Sequence, residues 1–262
     1  MIELKDVNYS YDGCKALKDI SLKVEKGESV SLLGPNGSGK STLLKLINGL
    51  IFPESGTYSF DGEEITEKKL KNAGFSKRFH QRLGFVFQNS ETQLFCSDVY
   101  DEIAFGPRQM GFDEKEVEAR VDECLGLLNL QNFKTRQPYH LSGGEKKKVA
   151  IASVLALNPE VLVLDEPMNG LDPRTERWLT EFILKLNKEA GKTIILSTHN
   201  LELVQDISER AVLFEESHCI AADLKTFELL DDIPLLKRIN LVDEYYHHHD
   251  EHGHEHFHIH NY

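Results

Sequence analysis

Residues 34 to 41 form a glycine-rich segment whose residue types could bind a nucleotide phosphate. They read Gly-Pro-Asn-Gly-Ser-Gly-Lys-Ser and fit the pattern GxxxxGK[ST], between an apolar run, SVSLL, and a helix-patterned run, STLLKLINGL. Glycines let consecutive main-chain N–H groups turn toward one point, and the helix N-terminus adds positive potential there. Lys40 could reach the β- and γ-phosphates, and Ser41 could bind Mg²⁺. The alternative is a turn that only caps a helix, which the strand context and the Lys-Ser pair disfavour.

Two adjacent carboxylates end another apolar run and could serve the same site. Asp165 and Glu166 directly follow Val-Leu-Val-Leu. Neighbouring side chains at a strand end point different ways, so Asp165 could hold Mg²⁺ while Glu166 polarises an attacking water. Acidic residues follow many buried strands, and the pair alone would be weak evidence. Together with the phosphate segment it predicts a nucleoside triphosphatase.

A second helix start could bind an anion. Ser142, Gly143 and Gly144 lie 102 residues after Lys40 and 23 before Asp165, and a helix-patterned run, KKKVAIASVLAL, follows them. Free main-chain N–H groups at such a start attract negative charge. As an isolated string the segment would be a plain helix cap more often than not.

Composition narrows the classes of partner. The 262 residues contain 43 acidic and 30 basic side chains, a formal charge of −13, which makes nucleic acid a poor candidate partner. We see no apolar run of membrane-spanning length, so a membrane role would require a partner. Four scattered cysteines without CxxC spacing, and an N-terminus unlike a signal peptide, predict a reducing, cytoplasmic compartment.

The elements expected around these residues are those of an α/β protein with an added helical part. In the first 33 residues, SVSLL included, short apolar runs alternate with turns, a pattern typical of short strands in an antiparallel sheet. GTYSFDGEEI resembles an edge hairpin. RLGFVFQ, VLVLDEP and TIILSTH are apolar runs typical of buried strands, the last two of parallel ones. Residues 97–157 are mostly helix-patterned.

At these distances, Leu-Ser-Gly-Gly-Glu resembles the signature motif of ABC ATPases. Gln88 matches the family's Q-loop glutamine, Gly170-Leu171-Asp172 its D-loop and His199 its switch histidine. Tyr11 sits where the family stacks an aromatic ring on adenine, although it could equally be a cross-strand tyrosine. Gln88 could likewise be a surface residue, and His199 a satisfied core histidine. The resemblance covers roughly residues 1 to 225.

The resemblance implies a fold, a pairing and a set of roles. The fold is a P-loop NTPase of the ABC ATPase type, with an antiparallel β subdomain and a helical subdomain at about 96–158 within a domain at 1–226. Two copies, identical or paralogous, would face head to tail, each ATP lying between one copy's phosphate loop and the other's signature. The implied catalytic residues are Glu166, His199, Lys40 and Gln88, and the implied Mg²⁺ ligands are Ser41, Gln88 and Asp165. The implied nucleotide-binding residues are Tyr11, Gly34, Pro35, Asn36, Gly37, Ser38, Gly39, Lys40, Ser41, Thr42, Ser142, Gly143, Gly144 and Asp172.

Two positions depart from the family pattern. Glu145 replaces the commoner glutamine at the end of the signature, and Met168-Asn169 replaces a pair of small residues before the D-loop. We expect Glu145 to lie past the residues that touch phosphate. Neither change removes a group that the chemistry requires.

The region after Gln88 bears on the partner and the cargo. Residues 88–95, QNSETQLF, and 101–107, DEIAFGP, resemble the energy-coupling-factor importer ATPases, including their cobalt and nickel branch. This implies an ATPase at the cytoplasmic face of the cell membrane, bound to an integral membrane coupling subunit and a substrate-binding membrane subunit. An alternative reading makes these side chains ordinary core packing beside the loop.

The C-terminal end, 227–262, is predicted to be an extension that ends in a disordered histidine-rich tail at 247–262. Its imidazoles suit Ni²⁺, Co²⁺ or Zn²⁺, although such a tail is unselective, and a passive metal buffer or a solubilising tail are alternatives. With the resemblance, it favours nickel or cobalt uptake over a vitamin importer, a soluble ABC protein of DNA repair or translation, or a metal-storage protein. The candidate metal ligands are His247, His248, His249, His252, His254, His256, His258 and His260.

Overall fold

The computed structural model describes residues 1–242. The strands are β1 (Ile2–Tyr11), β2 (Cys14–Val24), β3 (Ser29–Leu33), β4 (Ser55–Phe60), β5 (Glu63–Glu64), β6 (Leu83–Val86), β7 (Val161–Asp165), β8 (Thr193–Ser197), β9 (Arg210–Phe214) and β10 (Ile220–Lys225). The helices are α1 (Lys40–Ile47), α2 (Glu67–Leu70), α3 (Ala73–Arg82), α4 (Val99–Met110), α5 (Glu114–Leu127), α6 (Gly143–Leu155), α7 (Pro173–Lys188), α8 (Leu201–Ile207), α9 (Thr226–Asp231) and α10 (Ile233–Arg238).

An antiparallel sheet of four strands, in the order β2-β1-β4-β5, forms the first layer. Strand β1 pairs with β2 on one side and with β4 on the other, and its buried residues alternate with more exposed ones. The inner face of this sheet packs on α1 in one apolar core with Leu4, Ile20, Leu43 and Phe60. GTYSFDGEEI does form a hairpin, β4 to β5, with β5 at the sheet edge.

The second sheet has six strands in the order β10-β9-β3-β8-β7-β6 and is parallel except for β10. The parallel pairing expected of VLVLDEP and TIILSTH is confirmed in β7 and β8. The antiparallel assignment of SVSLL is wrong, because β3 lies in this sheet between β9 and β8. All five of its residues are buried, so it needs cover on both faces, which a parallel sheet between helices provides.

A helical part, α4 to α6, packs beside the parallel sheet, and its helices lie within the range predicted at 96–158. One core joins these helices to β7 and α7 through Ile103, Val121, Ile151, Leu164 and Leu179. Because β3, β7 and β8 run parallel, their carboxyl ends meet at one edge, the place where such sheets bind ligands.

The segment from residue 226 to 242 packs on the body. Leu229, Leu230, Leu236 and Ile239 are buried in a core with Leu33 of β3 and side chains of α8 and β9. The boundary predicted at 226 thus falls at the first residue of a helix that shares the body's core. The predicted histidine-rich tail at 247–262 lies outside the described residues.

Candidate functional site

The phosphate segment forms a tight loop between β3 and α1. Gly34 and Gly39 have φ angles of 140° and 111°, which L side chains rarely adopt. A Cβ atom at Gly34 would lie 2.5 Å from the carbonyl oxygen of Phe214, and one at Gly39 would lie 2.4 Å from that of Ala16. Gly39 is also the N-cap of α1 and has no side chain with which to cap it. The glycines therefore allow a close approach of chain segments that any other residue would block.

Lys40 begins α1 and bends back over this loop. Its Nζ donates hydrogen bonds to the carbonyl oxygens of Gly34, at 2.6 Å, and Pro35, at 2.9 Å. Burial lowers the pKa of Lys40, while the nearby carboxylates of Glu166 and Asp165 act in the opposite direction. The ammonium group thus lies within the electrostatic reach of both strand-end carboxylates.

Asp165 is the centre of a group of oxygen atoms at the end of β7. Its Oδ1 accepts hydrogen bonds from Ser41 Oγ, at 2.9 Å, and from Ser197 Oγ, at 2.6 Å. Ser197 Oγ in turn accepts a hydrogen bond from the main-chain N–H of Glu166. Ser197 was not among the predicted site residues, although its place at the end of the run TIILS is a signal that could have found it.

Glu166 and His199 form a pair beside this group. Glu166 directly follows β7 and has a φ of 43°, an uncommon left-handed conformation for a residue other than glycine. His199 Nδ1 lies 3.0 Å from Glu166 Oε2. The carboxylate is buried, whereas the imidazole is 65% exposed. The structure therefore brings together five of the predicted residues, Lys40, Ser41, Asp165, Glu166 and His199.

These residues fit a magnesium-bound phosphate group. A hydroxyl and a carboxylate, the oxygen ligands that Mg²⁺ prefers, lie side by side at Ser41 and Asp165. The Ser38 Oγ is buried within the loop and has no hydrogen-bond partner among residues 1–242. A buried hydroxyl normally has a partner, so this atom suits a ligand's oxygen. The other predicted residues here are the loop residues Pro35, Asn36 and Gly37 and, in α1, Thr42, and all four are partly or fully exposed.

Gln88 follows β6 and is exposed. Its carbonyl oxygen accepts a hydrogen bond of 2.9 Å from Nζ of Lys147, a buried residue of α6. Burial lowers the pKa of Lys147 to about 8, against an opposing effect of Asp165. No local pattern marks Lys147 as different from the two lysines beside it, since only the folded chain places it in the interior.

The signature lies at the N-terminus of α6, where Ser142 is the N-cap. The side chain of Glu145 folds back, and its Oε2 accepts hydrogen bonds from the N–H and the Oγ of Ser142 at 2.7 and 2.8 Å. Glu145 follows Ser142, Gly143 and Gly144 along the chain, but its side chain reaches back to Ser142, because a glutamate three residues after a serine N-cap completes a capping box.

Three further predicted residues are Gly144, Asp172 and Tyr11. A Cβ on Gly144 would lie 3.1 Å from the side chain of Thr175, at the start of α7. Asp172 caps that helix by accepting from Thr175, which lowers the pKa of its carboxyl group. Tyr11 lies at the end of β1, is 42% exposed, and makes an edge contact with Tyr9.

The described residues contain neither a membrane-spanning helix nor a further metal cluster. In the part of the chain from 1 to 242, no helix has both the length and the apolar character needed to cross a bilayer. Over the same residues, no group of three or more His, Cys, Asp or Glu side chains is arranged to hold a metal ion. The eight tail histidines lie outside this range.

Comparison with known proteins places the chain in a family. The ABC transporter family model matches residues 17–169. A putative ABC transporter ATP-binding protein of Clostridium acetobutylicum is 52% identical over 242 residues, which are 92% of this chain and 100% of that protein. The nickel import ATP-binding protein LarO of Lactiplantibacillus plantarum is 48% identical over 229 residues, 87% of this chain and 95% of that protein.

Solved structures agree with these relatives. The structure of cbiO1 from Clostridium perfringens, part of the ABC transporter complex cbiONQ, has a TM-score of 0.78 and 34% identity and covers 92% of this chain and 94% of its own. A dimeric structure of the ATP-binding cassette MJ0796, bound to ADP and phosphate, has a TM-score of 0.77 and 30% identity. The match covers 86% of this chain and 99% of that chain. The predicted ABC ATPase fold is confirmed. The chain belongs to the ABC transporter ATP-binding family, as an ATPase that couples ATP hydrolysis to transport.

Proposed function

We propose that this chain is the ATPase of an energy-coupling-factor importer that takes up nickel or cobalt. It acts at the cytoplasmic face of the cell membrane, with an integral membrane coupling subunit and a substrate-binding membrane subunit. The observation that carries the cargo assignment is the 48% identity to a protein named for nickel import. The likeness to cbiO1, described as part of a transporter complex, supports the multi-subunit arrangement.

The phosphate loop, Lys40 and the start of α1 bind the phosphates of ATP. Main-chain N–H groups at a helix start and a lysine ammonium supply the positive charge that phosphate oxygens require. Ser41 and Asp165, which already share a hydrogen bond of 2.9 Å, and the side chain of Gln88 hold Mg²⁺. When bound, this ion offsets negative charge on the phosphates. Tyr11 stacks on the adenine.

Glu166 orients the attacking water and accepts its proton. Its buried carboxylate is held by His199 Nδ1, 3.0 Å away, so the histidine positions the base as well as contacting the γ-phosphate. Separate hydrogen bonds hold Asp165 to the two serine hydroxyls. The two neighbouring carboxylates can therefore serve different roles.

A second copy, identical or paralogous, completes each site. One phosphate loop covers one side of the γ-phosphate, and the exposed Ser142 and Gly143 of a head-to-tail partner, with Gly144, cover the other and exclude water. Support for this pairing comes from the dimeric cassette to which the chain is similar.

The surface beside Gln88 receives the membrane subunit. Phe95 and Phe105 are 66% and 43% exposed, and their rings meet edge to face at 4.9 Å. Exposed aromatic pairs of this kind are typical of interaction surfaces.

Substitution of the base tests the ATPase mechanism. Glu166→Gln keeps the size of the side chain and removes its capacity to take a proton. We expect it to bind ATP with unchanged affinity, to accumulate as an ATP-bound pair, and to lose turnover by about 100-fold or more. Binding, sedimentation and phosphate release measure the three quantities, and a normal turnover rate would refute the role of Glu166.

Transport by the intact complex tests the cargo. The complex, purified with its membrane subunits and placed in vesicles, should accumulate Ni²⁺ or Co²⁺ when ATP is supplied on the ATPase side. Accumulation of a vitamin instead would establish the alternative importer class. Failure to co-purify with any membrane subunit would argue for a soluble ABC protein.

A further inference from the structure

Lys147 is a buried charge that binds the backbone of the segment containing Gln88. It lies in the second turn of α6 and is 3% exposed. Its Nζ donates to the carbonyl oxygens of Gln88, at 2.9 Å, and of Phe87, at 3.4 Å. Across residues 1–242 it takes part in no ion pair. The charge is thus used to hold two main-chain carbonyls.

Stability alone does not account for a lysine at this position. Transfer of an ammonium group into a protein interior costs on the order of several kcal/mol, and an apolar residue of similar size is often as stable or more so. The Asp165 carboxylate acts on the ammonium in the opposite direction to burial and raises the pKa of Lys147. The position suggests a role in the reaction.

The rest of the segment is tied to the same helix. Gln93 accepts a hydrogen bond from the N–H of Phe87 and donates one to the carbonyl oxygen of Ala150, in α6. Lys146 pairs with Glu91. Residues 87 to 93 are therefore attached to α6 at three points, and Lys147 is the attachment nearest to Gln88.

The same helix begins at the signature. Ser142 and Lys147 are five positions apart, about 7.5 Å along the helix axis. In the proposed head-to-tail pair, Ser142 contacts the ATP held by the partner, whereas Gln88 serves the ATP held by its own chain. A rigid helix that moves at one end must move the groups bonded to its side chains.

We propose that Lys147 is a positioning residue that transmits engagement of the signature to Gln88, and so links the two ATP sites of the pair. The inference rests on the proposed head-to-tail function. Lys147 does not touch ATP; it acts by holding the backbone from which the Gln88 side chain extends. Loss of this hold leaves ATP binding and pairing intact and misplaces a group at the reaction centre, where a displacement of about 1 Å can cost about 100-fold in rate.

The test compares Lys147→Met, Lys147→Arg and a control, Lys192→Met, in the full chain. Lys192 is also partly buried and donates to the Asn158 side chain, but it lies outside the proposed site. We expect Lys147→Met to keep the ATP affinity and to lower kcat by about 10- to 100-fold. Lys147→Arg, which keeps a charged donor, should recover part of the loss, and Lys192→Met should hydrolyse ATP at the normal rate. A normal kcat in Lys147→Met would overturn the proposal.

A second measurement separates transmission from a loss of stability. In Glu166→Gln, ATP should drive pairing and should slow amide hydrogen exchange in residues 87 to 96. In the double variant with Lys147→Met, pairing should persist while the slowing is lost, and equal slowing in both would overturn the role of Lys147. If Glu166→Gln itself does not pair, the head-to-tail function fails, and the inference about Lys147 fails with it.

Discussion

The carboxylate of Glu145 occupies the two hydrogen-bond donors of Ser142, its N–H and its hydroxyl, that a phosphate would use. Its Oε2 accepts from both the N–H and the hydroxyl of Ser142. A phosphate oxygen that approaches the signature must displace this carboxylate or share the donors with it, and both groups are negatively charged. In the proposed head-to-tail pair, Glu145 would therefore compete with the partner's ATP for the signature.

Glu145→Gln should strengthen the pairing that ATP drives. The amide oxygen can still accept from Ser142, so the helix cap remains, whereas the like-charge repulsion is removed. Relief of about 1.4 kcal/mol corresponds to about a tenfold lower ATP concentration for half-maximal pairing. Sedimentation of the Glu145→Gln, Glu166→Gln double variant at increasing ATP concentrations measures this concentration. Glu118→Gln, an exposed change on α5, is the charge-matched control, and equal pairing by the two would refute the competition.

The buried ammonium of Lys147 predicts a pH dependence of stability. Its pKa is lowered to about 8 by burial, from 10.5 for an unperturbed lysine. Between these values the unfolded chain binds more protons than the folded one, so the free energy of unfolding rises with pH. The cost of the buried charge is present in full below about pH 8 and is lost as the pH approaches 10.5. In urea unfolding, the free energy of unfolding of the wild type should rise relative to that of Lys147→Met between about pH 8 and pH 10.5. A difference that does not change with pH would contradict it.

At the scale of elements, the segment from residue 87 to 96 is held at both ends by buried charges. Lys147 binds carbonyl groups at one end, and the buried carboxylate of Glu102, in α4, accepts from the N–H groups of Phe95 and Cys96 at the other, at 2.9 and 2.7 Å. Both charges belong to the helical part. The exposed ring of Phe95 is thus fixed next to that of Phe105, its neighbour in the proposed docking surface.

Replacement of Glu102 should weaken the fold. Glu102→Ala leaves the main-chain N–H groups of Phe95 and Cys96 without their acceptor, at a cost of about 1–3 kcal/mol each where water does not replace it. Chemical unfolding should report this loss, and Glu118→Ala, a truncation of an exposed glutamate, should lie within about 0.5 kcal/mol of wild type. A stability unchanged in Glu102→Ala would show that water satisfies both groups.

The sequence predicted those elements whose residue types are dictated by local chemistry. Gly34, Gly39 and Lys40 could be recognised because only such residues fit a turn that brings N–H groups together. The sheet that contains β3 could not be read from SVSLL, because alternating and fully buried strands look alike over five residues. The burial of Lys147 against the Gln88 segment depends on contacts that spacing alone does not specify, whereas the fold-back of Glu145 follows from the Ser-x-x-Glu spacing of a capping box and could have been predicted.

At the scale of the whole molecule, the C-terminal helices support the strand that enters the phosphate loop. Leu33, the last residue of β3, shares a core with Leu229, Leu230, Leu236 and Ile239. A fully buried leucine or isoleucine contributes about 1.5–3 kcal/mol, so these four together are comparable to the about 5–15 kcal/mol of a typical domain. The body of the ATPase therefore extends at least to the end of this core, past residue 226.

Two truncations, after residue 226 and after residue 242, test this division and the role of the histidines. A chain that ends at 226 should unfold at a lower temperature and bind ATP poorly, because the core behind Leu33 is exposed to water. A chain that ends at 242 should keep the thermal stability and ATPase rate of the full chain. We expect calorimetry to show Ni²⁺ binding by the full chain and none by the 1–242 chain, because residues 1–242 contain no cluster of three or more His, Cys, Asp or Glu side chains able to hold a metal ion. Equal Ni²⁺ binding by the full chain and the 1–242 chain would show that the tail is not a metal site, and nickel uptake would then rest on the relatives alone.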